Sequence, residues 1–197
     1  MTYNPGQVEV LYKYLKQIPD WLILGGPADG DESQVLKKRF PNLKVLAFEP
    51  CRDMFDWQLA NGFPKDGILL PVALTAKEGE VRLREAGRSS SIGRSVDCTQ
   101  ISSTQSITLD SIYKVYGPFK SAIVWLDIEG SELEAIEGAS KMMSARGVQI
   151  VNVEMLREAP DRNRRLDAII RKYGFRYADN WDVQSGNHYD SIYVRVS

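Results

Sequence analysis

Acids and glycines stand at the ends of successive apolar runs, and these are the residue types that hold a cofactor and move a proton. In Leu22-Ile23-Leu24-Gly25-Gly26-Pro27-Ala28-Asp29-Gly30 an apolar run breaks into a glycine-rich turn, and a helix opens at Asp31. Glycine lets backbone approach a ligand where a Cβ would collide. Asp29, Asp31 and Glu32 crowd the helix start with carboxylates, which disfavours a pyrophosphate and suits a cationic ligand. Glu49-Pro50 closes the next run about 20 positions after Gly30, the interval at which an acid reaches a ribose and accepts both hydroxyl protons. Further runs end at Ala73-Leu74, at Asp127-Ile128-Glu129-Gly130 and at Glu154. Asp127, Glu129, Glu154 and the sole histidine, His188, are the candidates to receive a proton from a reacting group. Plainer roles stand beside these: Asp127 and Glu129 suit the dipole of the following helix, and His188 suits an exposed turn.

Such residues converge only if a scaffold brings the run ends together. The spacing predicts a capped helix from Asn4-Pro5 with Val8, Leu11, Tyr12, Leu15 and Ile18 on one face, before a strand over 21–24. A helix follows over 31–40, with Asp31 and Gln34 at capping-box spacing, then a strand over 44–50 and a helix over 51–60. A third strand covers 68–74, and 80–85 alternates like an edge strand added to the sheet. Residues 86–106, rich in Ser, Gly, Thr and Arg, read as a mobile loop. Leu109, Ile112, Tyr113 and Tyr116 repeat a helical stripe, 122–128 is a buried strand, and Ser131 with Glu134 caps the next helix. A fifth strand spans 149–154, and a helix over 160–173 carries Arg162, Arg164 and Arg165 on its solvated face. An antiparallel pair over 175–181 and 191–196 closes the chain, and Trp21 and Trp125 belong to the core. The alternation implies a mostly parallel sheet covered by helices on both faces, with ligands at the carboxyl ends of its strands.

Composition narrows the partners. The 197 residues suit a single domain, and a net charge of -1 offers no field for a nucleic acid or an anionic membrane. Cys51 and Cys98 form no CxxC pair and histidines do not cluster, so neither a metal nor a disulfide framework is expected. No apolar run approaches the length of a membrane span, and residues 1–6 do not read as a leader, which predicts a cytoplasmic protein. Nicotinamide cofactors and S-adenosylmethionine share the ribose that Glu49 would hold, so Glu49 leaves both open; the glycine spacing lacks G-x-G-x-x-G.

Taken in order, the motifs resemble the FkbM-type S-adenosylmethionine-dependent methyltransferases. Gly26-Pro27-Ala28-Asp29-Gly30-Asp31-Glu32-Ser33 is similar to the family's glycine turn and helix start, Ala47-Phe48-Glu49-Pro50 to its second-strand signature, and Thr108-Leu109-Asp110-Ser111 to its Thr-Leu-Asp segment. The block Asp127-Ile128-Glu129-Gly130-Ser131-Glu132 resembles its Asp-x-Glu-Gly-x-Glu, Val153-Glu154 its acid after strand five, and Ser89-Ser90-Ser91 its serine-rich loop. Two departures stand out: Leu24 occupies a place where the family usually has an acid, and Pro27-Ala28 replaces Ala-Asn. The resemblance implies a Rossmann-like class I fold with a seven-stranded sheet ending in an antiparallel hairpin, and methyl transfer to a hydroxyl of a small molecule or sugar. It implies that Gly25, Gly26, Pro27, Asp29, Gly30, Glu49, Pro50, Ala73 and Asp127 bind S-adenosylmethionine, with Asp127 the first choice of base ahead of Glu129, Glu154 and His188. Arg88 or Arg94 would meet an acidic group on the acceptor. A cofactor-binding module without catalysis and a nicotinamide oxidoreductase are the alternatives.

Overall fold

Strands and helices alternate along the computed structural model, which describes residues 5–27, 31–87, 89–92, 98, 100–182 and 187–196. The order is α1 (Pro5–Tyr12), β1 (Trp21–Gly25), α2 (Asp31–Arg39), β2 (Lys44–Phe48), α3 (Arg52–Asn61), β3 (Ile68–Leu70), β4 (Ala73–Leu74), β5 (Gly79–Glu85) and β6 (Gln100–Ile107). It continues with α4 (Leu109–Tyr116), β7 (Ala122–Leu126), α5 (Glu132–Glu137), α6 (Ser140–Ser144), β8 (Val148–Leu156), α7 (Pro160–Lys172), β9 (Phe175–Asp182) and β10 (His188–Arg195). Seven strands form one sheet in the order β3-β2-β1-β7-β8-β10-β9. The first five are parallel, and β10 runs antiparallel to both β8 and β9. Strand order reverses between β1 and β7, and a crevice opens at such a switch point.

The continuous apolar runs of β1, β2 and β7 are explained by burial on both faces, and β8 is buried at every position although it carries Gln149, Asn152 and Glu154. One face packs Val124, Leu126, Val151 and Val153 against Leu109 and Ile112 of α4, Ile136 of α5, Met142 of α6 and Leu166 and Ile170 of α7. The other packs Leu22, Leu24, Val45, Trp125 and Ile150 against Val8 and Leu11 of α1 and Leu36 of α2. Each such side chain contributes about 1.5–3 kcal/mol by leaving water. The Thr-Leu-Asp segment is a joint in this frame. Thr108 Oγ1 accepts the N–H of Ser111 and caps α4, while Asp110 Oδ1 accepts the N–H groups of Lys141 and Met142 at the start of α6.

Several expectations are corrected. Helix α1 stops at Tyr12, and Ile18, assigned to its apolar face, is 78% exposed. The third strand divides at Pro71, with β3 in the main sheet and β4 in a second, three-stranded sheet ordered β4-β6-β5. Strand β5 therefore does not extend the main sheet. Residues 100–107, read as loop, form β6, whose polar alternation satisfies its backbone against β5 rather than through a buried face. Strand β7 ends at Leu126 rather than 128, and α6 is a short helix absent from the expected elements. Trp21 is half-buried, edging Tyr116 and Phe119 beneath the Lys44 ammonium. No helix among the described residues is long and apolar enough to cross a membrane.

Candidate active site

Alternation along the strands builds one wall of the crevice. Leu24, Ala47, Trp125, Asn152 and Ile192 stand side by side across β1, β2, β7, β8 and β10. Two residues toward the carboxyl ends of the parallel strands, the same row reads Gly26, Glu49, Asp127 and Glu154, with Asp190 of β10 paired opposite Glu154. A floor apolar except for Asn152 thus ends in a line of carboxylates, interrupted only where β1 offers a glycine.

The tips of β1 and β7 are locked together. Asp127 donates its N–H to Gly25 O at 3.1 Å, and Gly26 donates to Phe48 O at 3.0 Å. Gly26 has φ +69, and a Cβ there would stand 1.8 Å from the carbonyl oxygen of Asp127. Gly26→Ala should therefore lower stability by about 2 kcal/mol in chemical denaturation, because the left-handed backbone is strained and the β7 tip must move. A Cβ on Gly25 would meet Ile128, Leu126 and Leu74, which places β4, and with it Ala73, beside the β1 tip. Leu24 is core, so the acid the family carries there is replaced by a side chain packed beneath the crevice.

Glu49 is 6% exposed; its Oε1 accepts the N–H of Cys51 at 2.9 Å. Burial pushes its pKa up to about 7, against the lowering effect of that hydrogen bond. Pro50 follows it, half-buried. Asp127 is held well above the usual carboxylate range, first by burial and then by the charges of Glu154, Asp190, Glu129 and Glu132. Burial also pushes Asp190 up to about 7, with Glu132 adding to the rise and a hydrogen bond from Asn152 opposing it. His188 is the first residue of β10, not a turn residue, and its Nδ1 lies 3.5 Å from Glu154 Oε1. Glu129 adopts the left-handed conformation, φ 53, and its carbonyl accepts the hydroxyl of the buried Ser91 at 2.7 Å. Ser91 in turn exchanges backbone hydrogen bonds with Arg84 of β5, so the second sheet is fastened to the Asp127 loop.

Gly25, Gly26, Asp127, Glu129, Glu154 and His188 are thus brought to one end of the sheet, with Glu49 and Ala73 flanking them. Pro27 follows Gly26 at the crevice, while Asp29 and Gly30 lie outside the described residues, as do Arg88 and Arg94. Asp190, Glu132 and Arg162 were not anticipated as site residues. The expected final strand over 191–196 leaves Asp190 out, whereas β10 begins three residues earlier, at His188. Glu132 displaces Ser131 and Glu134 from the expected cap: Ser131 makes no capping bond and Glu134 is exposed. Arg162 is no solvated arginine but the partner of Glu132 at 2.5 Å. Among the described residues no group of three or more His, Cys, Asp or Glu is placed to hold a metal ion.

Residues 25–177 match the family model of the methyltransferase FkbM domain. The chain belongs to the FkbM methyltransferase family. It is an S-adenosylmethionine-dependent methyltransferase, which sets the nicotinamide alternative aside. Among curated proteins none matches the sequence significantly. The fold of this FkbM methyltransferase is shared with precorrin-6y C5,15-methyltransferase from Geobacter metallireducens GS-15, with TM-score 0.56 and 12% identity over 100% of this chain and 91% of that one. It is shared too with magnesium protoporphyrin IX methyltransferase from Synechocystis PCC 6803 with bound SAH, at TM-score 0.53 and 12% identity over 97% and 81%. The fibrillarin pre-rRNA processing protein of Methanococcus jannaschii aligns at TM-score 0.56 and 10% identity over 98% and 76%.

The crevice fits the cofactor. Glu49 is a buried carboxylate with one oxygen fixed by backbone, and two ribose hydroxyls would supply the hydrogen bonds its desolvation calls for. The line of acids suits a sulfonium better than a diphosphate.

Proposed function

We propose that this FkbM methyltransferase moves a methyl group onto a hydroxyl oxygen of a small molecule or sugar, with Asp127 as the proton acceptor. The placement of Asp127 carries this reading: it stands half-buried in the row of strand-end acids beside Gly26, and its affinity for a proton is raised by burial and by the charges of Glu154, Asp190, Glu129 and Glu132. A base so poised suits an alcohol, which must lose its proton as the new bond forms. Bound S-adenosylmethionine supplies a methyl group already electrophilic on its sulfonium. Gly25, Gly26, Pro27, Glu49, Pro50, Ala73 and Asp127 would hold it, joined by Asp29 and Gly30, with Glu49 taking the ribose hydroxyls.

The chain's own work is then positioning and proton handling. Asp127 orients the acceptor hydroxyl and takes its proton; Glu154, paired across β8 and β10 with Asp190, is the next carboxylate in the row. His188, 3.5 Å from Glu154, passes charge toward the half-exposed end of that row. Glu129, pinned through its carbonyl by Ser91, presents its side chain from the same loop. Incubating the protein with methyl-labelled S-adenosylmethionine and a panel of sugars and hydroxylated small molecules, with RNA and amines as further arms, tests the assignment. Label on an oxygen, located by mass spectrometry and NMR, is the expected result. Label only on nitrogen, carbon or RNA, or tight cofactor binding with no transfer to any acceptor, would overturn it.

A further inference from the structure

Glu132 is completely buried, and in the chemistry proposed above it has no role beyond the charge it adds near Asp127. It opens α5, and its side chain folds back over the preceding loop: Oε1 accepts the N–H of Ile128 at 2.9 Å and of Gly130 at 3.3 Å. Its Oε2 lies 2.5 Å from Nη2 of Arg162 on α7, a side chain only 17% exposed. Isolated carboxylates and guanidinium groups are not buried without cause, since taking each from water costs several kcal/mol. This pair ties three elements at one point. The loop it grips is the one that carries Asp127, and it contains the left-handed residues Glu129 and Gly130. At its other end the same loop is fastened to β1 through the bond from Asp127 N–H to Gly25 O. Backbone from 127 to 130 is therefore held at one end by the β1 tip and at the other by a carboxylate that α7 keeps in place.

We infer that Glu132 and Arg162 are a positioning pair that sets the 127–130 turn, and with it the aim of the Asp127 carboxylate, without touching cofactor or acceptor. This holds given that Asp127 faces the reacting methyl as proposed above. A charged pair serves where apolar residues could not, because one buried and one partly buried amide need an acceptor, and one carboxylate oxygen satisfies both while the arginine anchors the other. The charges around Asp127 come from Glu154 on β8, Asp190 on β10, Glu129 in its own loop and Glu132 on α5. Arg162, behind Glu132, offsets the last of these.

The test uses the full chain, amide hydrogen exchange by NMR, and calorimetric affinities for S-adenosylmethionine and S-adenosylhomocysteine. In Arg162→Met the amides of Ile128 and Gly130 should exchange at least about 10-fold faster while those of Val124 and Val151 keep their rates. The ratio of S-adenosylmethionine to S-adenosylhomocysteine affinity should fall about threefold, because a misdirected carboxylate costs the sulfonium ligand more than the neutral one. Arg162→Lys should restore most of both. Should the methionine variant fail to fold, Glu132→Gln carries the same test, since its amide oxygen keeps an acceptor but loses the ion pair, and exchange at the same two amides should still rise. Unchanged protection of Ile128 and Gly130, an equal loss at Val124 and Val151, or no recovery with lysine would overturn the inference. Asp127→Asn separates the two readings: it should keep the two amides protected while losing the sulfonium preference. A preference that survives in that variant counts against Asp127 as the facing residue, and the exchange rates still decide the role of the pair.

Discussion

Asp127→Asn should leave a folded protein that binds S-adenosylhomocysteine yet transfers methyl groups about 10²–10⁴-fold more slowly, the range expected for loss of a general base. The amide is isosteric and keeps the backbone bond to Gly25, so the β1–β7 junction survives. What disappears is one of the two carboxylates, Asp127 on β7 and Glu49 on β2, that flank the glycine gap of β1 in the row. The variant should also be more stable than the wild type at neutral pH, since an acid disfavoured in its charged form by burial and by Glu154, Asp190, Glu129 and Glu132 is replaced by a side chain that never ionises. Lower turnover together with higher stability is the signature of a group retained for chemistry. Steady-state kinetics on an acceptor found by the labelling panel, paired with thermal denaturation, checks both halves. Turnover equal to the wild type would remove Asp127 from the reaction and leave Glu129, Glu154 or His188 to be tested in its place.

Much of this site was legible in the sequence because parallel strands advertise themselves. Runs such as Ala122–Leu126 are apolar at every position, and this run stops at an acid that stands at the crevice. The element order then fixes which ends meet, so Gly25, Glu49 and Asp127 could be grouped before any geometry was known. What escaped depends on pairing between distant segments. Strand β6 is Gln-Ile-Ser-Ser-Thr-Gln-Ser-Ile, with only Ser106 buried among its residues, so its strand character comes from hydrogen bonding to β5 and not from a hydrophobic pattern. Asp190 becomes a site residue only because β10 inserts between β8 and β9 and lays it opposite Glu154. Arg162 looks like its exposed neighbours Arg164 and Arg165 along α7, and nothing local says that α5 will place a buried carboxylate against it. Local spacing reports which residues leave water, while register and helix packing decide which polar residues accompany them.

Glu49→Gln should move cofactor affinity and stability in opposite directions. In the free protein Glu49 titrates near 7 instead of 4.5, because burial penalises its charge more than the Cys51 N–H stabilises it. The native state thus holds the proton more tightly than the unfolded chain. Relative to an unshifted acid, stability is intact below about 4.5, is lost as pH rises through 7, and is lower by about 3 kcal/mol above that. Glutamine keeps an acceptor oxygen for Cys51 and never ionises, so the variant should be the more stable protein at pH 8, by up to about 3 kcal/mol, and nearly equal at pH 5. Its cofactor affinity should fall by about 1.5–3 kcal/mol, the worth of charge-assisted bonds to ribose hydroxyls. The wild type should bind S-adenosylhomocysteine more tightly as pH rises from 6 to 8, because below 7 Glu49 must first release a proton, and the variant should show no such slope. Chemical denaturation and calorimetric titration at several pH values measure the two effects separately. A slope that persists in the variant would mean that another carboxylate, Asp190 foremost since it too titrates near 7, meets the cofactor instead.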